Sequence, residues 1–198
     1  MELDKNKIAT DVATNLIEDS IKGAWGKVKA YFVDADAQDA IDYGDAFEDY
    51  LKRTKKKNSK IKTLIYRHVP QDLSEFYECV GIRCNGKRIE TDSINNVLEL
   101  SSKIIITGTG GIGKSVLLKH LFLSACDDTS FVPILLELRS LNVFENKDIS
   151  LFNILYDQLL NNGFKMEKKY FEYSLEKGAY IILLDGFDEV NSDKMNKI

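Results

Sequence analysis

The stretch Gly108-Thr109-Gly110-Gly111-Ile112-Gly113-Lys114-Ser115 constrains this chain more than any other. It fits the phosphate-loop pattern G-x-x-x-x-G-K-[ST] at every fixed position. Upstream, residues 103–107 are mostly β-branched and apolar, which predicts a buried strand. Downstream, residues 116–122 predict a helix that is apolar on most faces and therefore covered on more than one side. Glycines let a backbone curl so that its N–H groups converge on phosphate oxygens. The following helix adds the positive end of its dipole. Lys114 supplies a mobile point charge for the β- and γ-phosphates, and the Ser115 hydroxyl is a ligand for Mg²⁺. All eight loop residues are candidate nucleotide contacts.

A second stretch completes the chemistry. Ala179-Tyr180-Ile181-Ile182-Leu183-Leu184-Asp185 is an apolar run ending in an acid, which predicts a buried strand with Asp185 at its C-terminal tip. Ligands of open parallel sheets bind at such tips, so Asp185 is the candidate metal partner of Ser115. Successive strand residues point to opposite faces, so a second acid must lie beyond the tip. Asp188 and Glu189 stand there, after Gly186, as candidates for orienting or activating an attacking water. The bland alternative is a solvated acidic turn.

The remaining pattern sets the surroundings. Residues 5–33 carry apolar side chains at spacings of three and four, with Gly23 and Gly26 weakening the middle. A second helix is expected over residues 34–52, acidic on one face from Asp34 to Asp49. The basic run at residues 52–60 then reverses the sign. It reads as a solvated linker, an anion-binding patch, or a segment folding back on the acidic helix. A short strand is expected at 62–67 and a brief turn or helix at 72–77. A hairpin is expected around Asn85-Gly86, and a helix from 94 to 100 capped by Asp92 or Ser93. A strand over 131–138 must hold Pro133 near its start or at an edge. Helices are expected to stop at Gly163 and Gly178.

Net charge is −4, which gives no overall electrostatic case for nucleic acid. Cys79, Cys84 and Cys126 are irregularly spaced and read as free thiols of a reducing cytoplasm. His68 and His120 have no ligand partner at a recognisable spacing and read as structural. The apolar runs near Ile104 and Ile181 are too short to span a bilayer.

With both motifs in view, the chain resembles a NACHT domain of the STAND class of P-loop NTPases, of the bacterial type related to animal inflammasome proteins. The glycine loop carries the resemblance together with Glu137-Leu138-Arg139 and, most specifically, Leu184-Asp185-Gly186-Phe187-Asp188-Glu189. The resemblance implies an α/β fold: a P-loop NTPase parallel sheet flanked by helices, preceded by a small all-helical module. The expected division is a helical module at 1–53, a linker and approach segment at 54–100, and the NTPase domain at 101–198. ATP and Mg²⁺ are the implied cofactors. The implied function is a cytoplasmic signalling switch in antiviral defence, in which nucleotide exchange controls homo-oligomerisation in response to a trigger. Slow hydrolysis would reset it.

The chain ends nine residues after Glu189, before the further strands and helical subdomains of that family. The resemblance therefore implies a domain incomplete at its C-terminus, with an exposed apolar sheet edge and poor solubility. Two other readings are a metabolic P-loop kinase and a scaffold without nucleotide turnover. The kinase reading needs several arginines after the loop, where only Arg139 is found.

Overall fold

A computed structural model describes residues 37–61, 70–75, 77–143 and 150–195. The helix expected over 5–33, the strand at 62–67 and His68 lie outside the described residues.

Helix α1 runs from Ala37 to Asn58. In its second half Phe47, Tyr50, Leu51, Thr54 and Asn58 are buried, a three- and four-residue spacing that marks one face. The basic run at 52–60 is therefore not a linker for most of its length. Residues 52–58 are the last turns of α1, where positive side chains favour the negative end of the helix dipole. These turns do not fold back as a separate segment; the acidic and basic stretches share one helix. Lys52 pairs with Glu48 at 2.6 Å, one turn back, and Lys55 pairs with Asp127 of a later helix.

Next come two small antiparallel pairs. β1 (Lys60–Ile61) pairs with β2 (Gln71–Asp72), and the 3-10 turn Leu73–Glu75 follows. β3 (Ile82–Cys84) pairs with β4 (Lys87–Ile89) across Asn85 and Gly86. Both turn residues have positive φ, 50° and 79°, as a two-residue hairpin of matching twist requires. α2 (Ile94–Leu98) starts at Ser93, whose Oγ accepts the Asn95 N–H at 3.3 Å.

The core forms around α3 (Lys114–Asp128), β5 (Val132–Glu137), α4 (Leu151–Asn161), α5 (Lys168–Glu176) and β6 (Tyr180–Asp185). A last turn of helix, α6, spans Ser192–Met195. α3 buries Leu117, Leu121, Phe122, Ala125 and Cys126, and it contacts α1, α2, β5 and β6. That many-sided cover explains its apolar composition. α4 ends where Gly163 takes φ 104°, with Phe164 N–H bonding back to Leu159 at 3.1 Å. Phe171 is fully buried and meets Phe152, Tyr156 and Tyr180, which fastens α5 to α4 and to β6.

β5 and β6 run parallel, in register from Val132↔Tyr180 to Glu137↔Asp185. The Val132 N–H bonds Ala179 O at 2.8 Å, so residues 132, 134 and 136 turn their backbone groups toward β6. Residues 133, 135 and 137 turn theirs to the outer edge. Pro133, which has no N–H, therefore sits on the outward side of an edge strand. Its carbonyl accepts the Tyr50 hydroxyl at 2.9 Å. The Leu135 carbonyl accepts Gln158 Nε2 at 3.1 Å, and the Glu137 carbonyl accepts Ser140 Oγ at 2.7 Å. Side chains thus satisfy every outward carbonyl of this strand.

One expectation fails. Residues 103–107 form no strand: among the described residues they pair with no other strand, Ile105 is 90% exposed, and Ile106 is partly buried against the core. A buried parallel strand draws its stability from cover on both faces and pairing on both edges. Among the described residues no strand lies on its far side, so neither condition is met.

Candidate functional site

The glycine loop occupies residues 108–113 and hands directly into α3. Gly111 and Gly113 have φ of 80° and 98°, left-handed values that side chains rarely adopt. A Cβ at Gly110, Gly111 or Gly113 would meet nothing within 4 Å, so the space beside these three glycines is open. Gly113 is the N-cap of α3 and offers no side-chain cap. The first N–H groups of this 15-residue helix therefore remain available to an anion. Lys114 Nζ donates to the carbonyls of Gly108 at 2.8 Å and Thr109 at 3.4 Å. The ammonium thus bridges back across the loop.

The tip of β6 meets this loop. Ser115 Oγ donates to Asp185 Oδ1 at 3.1 Å, joining positions 70 residues apart. Neighbouring vertices of a Mg²⁺ octahedron lie about 2.9 Å apart, given Mg–O bonds of about 2.0–2.1 Å. The two oxygens have the hardness and nearly the separation of adjacent ligands, so they fit the cation without rearrangement of the strand or helix.

Beyond the tip, Gly186 takes φ 73°, and the chain turns into the 3-10 segment Phe187–Glu189. This positive φ gives the glycine a local reason independent of any ligand. Asp188 and Glu189 are both exposed. Glu189 Oε2 lies 3.8 Å from Arg139 Nε. Among the described residues no hydrogen bond or ion pair links Asp188 or Glu189 to the glycine loop. The structure therefore brings Ser115 and Asp185 together and leaves the two later acids at the rim.

Sequence reasoning missed the scaffold under that rim. The 3-10 segment Leu138–Val143 follows β5 just as Phe187–Glu189 follows β6, and in-register strands place the two side by side. Asn142 joins them through a hydrogen bond to the Glu189 carbonyl, and Lys194 of α6 donates to the carbonyls of Leu141 and Asn142. No spacing rule marks an asparagine that reaches 47 residues along the chain.

His120 is structural, as expected. Its Nε2 lies 2.9 Å from the Thr91 carbonyl, which requires a proton on that nitrogen, and Tyr77 stacks on the ring at 4.5 Å. Cys79 Sγ lies 3.7 Å from the same nitrogen. The three cysteines are free thiols. Among the described residues no group of His, Cys, Asp and Glu could hold a metal by itself, and no helix is long and apolar enough to cross a membrane.

A comparison with protein families matches residues 102–197 to the NACHT domain. No curated protein and no solved structure matches the chain. The matched segment opens just before the glycine loop and takes in β5, Asp185 and the acidic turn. The chain carries a NACHT domain, of the nucleotide-binding P-loop NTPase class, over residues 102–197.

Proposed function

We propose that the chain binds ATP with Mg²⁺ and, as part of a signalling switch, hydrolyses it slowly. The observation that carries this reading is the 3.1 Å contact between Ser115 Oγ and Asp185 Oδ1 at the mouth of an open glycine loop. Lys114 and the loop N–H groups would hold the β- and γ-phosphates. Ser115 and Asp185 would hold the cation, which supplies charge neutralisation at the phosphate oxygens when bound. Asp188 and Glu189, past the strand tip, would orient the attacking water and take up its proton.

A role in antiviral defence, control of oligomerisation by nucleotide exchange, and a cytoplasmic location belong to the same reading. They rest on the resemblance carried by residues 184–189 together with the NACHT match.

The test is titration of labelled ATP with and without Mg²⁺. Saturable, Mg²⁺-dependent binding that Lys114→Ala abolishes is expected. Asp188→Ala should retain binding and lower turnover by about 10²-fold or more, the scale of a lost general base. Equal loss of binding in Asp188→Ala would remove its water-orienting role. Absence of saturable binding in the wild type would favour the scaffold reading.

A further inference from the structure

We propose that Asn142 is a positioning residue that sets the acidic turn after β6, and with it the aim of Asp188 and Glu189. This rests on the ATPase reading above. The 3-10 segment Phe187–Glu189 has few means of holding itself. Its own backbone bonds are Glu189 N–H to Gly186 O at 3.0 Å and Val190 N–H to Phe187 O at 3.3 Å. The carbonyl of Glu189 and the N–H of Asn191 have no backbone partner among the described residues.

The Asn142 carboxamide serves both. Its Nδ2 donates to Glu189 O at 2.9 Å, and its Oδ1 accepts Asn191 N–H at 2.9 Å. The two bonds straddle Val190, which is 4% exposed and anchors the turn in the core. One side-chain amide thus does the work of a neighbouring strand, pairing with the groups on either side of a single residue.

The backbone carrying Asn142 is fixed in return. Lys194 is 6% exposed, and its ammonium donates to Leu141 O at 3.1 Å and Asn142 O at 2.7 Å. The circuit runs from Glu189 to Asn142 to α6 and closes on the segment that begins at Asn191. Arg139, 70% exposed and 3.8 Å from Glu189, adds a screened pair of small consequence. The chemistry demands an amide. Aspartate would face the Glu189 carbonyl with a carboxylate oxygen and lose the donor. Alanine would leave both backbone groups to water and free the turn.

Among the described residues no hydrogen bond links Asn142 to the glycine loop, so its removal should alter turnover without altering nucleotide affinity. Displacement of catalytic groups by about 1 Å costs about 10²-fold in rate. The experiment compares wild type, Asn142→Ala, Asn142→Asp and Lys114→Ala in ATP titration and single-turnover hydrolysis. Both Asn142 variants should bind ATP within about twofold of wild type, while the rate constant for hydrolysis falls about tenfold or more. An unchanged rate constant overturns the proposal. So does loss of affinity in step with rate, because that marks a merely structural role, and so does a wild type that binds ATP without turning it over. A wild type that binds no ATP overturns the function proposed above and this inference with it. Lys114→Ala separates the cases, since it should lose binding whether or not Asn142 matters.

Discussion

The two edges of the β5–β6 pair contrast sharply. The β5 edge is closed by side chains: Tyr50, Gln158 and Ser140 take its three outward carbonyls, and Pro133 removes one N–H. The β6 edge has no such cover. Ile182 is 37% exposed there, and residues 103–107, expected as a buried strand, pair with no strand among the described residues, with Ile105 almost fully in solvent. An edge strand can be finished by single hydrogen-bonding side chains from helices that pack across it. Without them the same backbone is a template for another strand.

Variants on either side sharpen the contrast. Tyr50 is fully buried, and Tyr50→Ala removes a ring from the core beside its hydroxyl bond. A loss of about 3–5 kcal/mol in chemical unfolding is expected, the range for large aromatic truncations. A loss below about 1 kcal/mol would mean that α1 does not seal β5 in solution. Tyr50→Phe isolates the hydroxyl: it keeps the ring and orphans the Pro133 carbonyl, at a cost of about 1–3 kcal/mol.

Beneath the covered edge, burial pushes the Cys126 thiol up to about 12. In the unfolded chain it ionises near pH 8.5, so above that pH the unfolded state loses a proton that the folded state keeps. Stability contributed by the protonated thiol is therefore intact below about pH 8.5 and falls as pH rises towards 12. Cys126→Ala should lack this portion of the pH slope in denaturant titrations; identical slopes would place Cys126 in water. In the unpaired segment, Ile105→Lys should change stability by only about 0.5 kcal/mol. It should also reduce self-association in sedimentation velocity. A large loss of stability would show that residues 103–107 are paired after all.

The same contrast explains what the sequence could disclose. Local rules found β5, β6, α3, the hairpin and the stops at Gly163 and Gly178, because each rests on a pattern within a few residues. They placed Ser115 and Asp185 as partners because a glycine loop and an acid at a strand tip are each legible alone. They failed at residues 103–107, where apolar composition promised a strand but strand formation depends on a distant neighbour. They left the basic run open between a solvated linker, an anion-binding patch and a fold-back, because a change of charge says nothing about whether a helix continues. Asn142 and Gln158 were invisible for a similar reason: their partners are backbone groups, which every residue possesses.

Helix α1 has a mechanical consequence. Its 22 residues extend about 33 Å, at about 1.5 Å per residue. Its last dozen residues are clamped by Phe47 tilted against Phe164, by the Tyr50 hydroxyl on Pro133, and by the Lys55–Asp127 pair. The helix runs unbroken from Ala37 into that clamp. A torque on the helix would pass to Phe164 through Phe47 and to the Pro133 carbonyl of β5 through Tyr50, one strand away from Asp185.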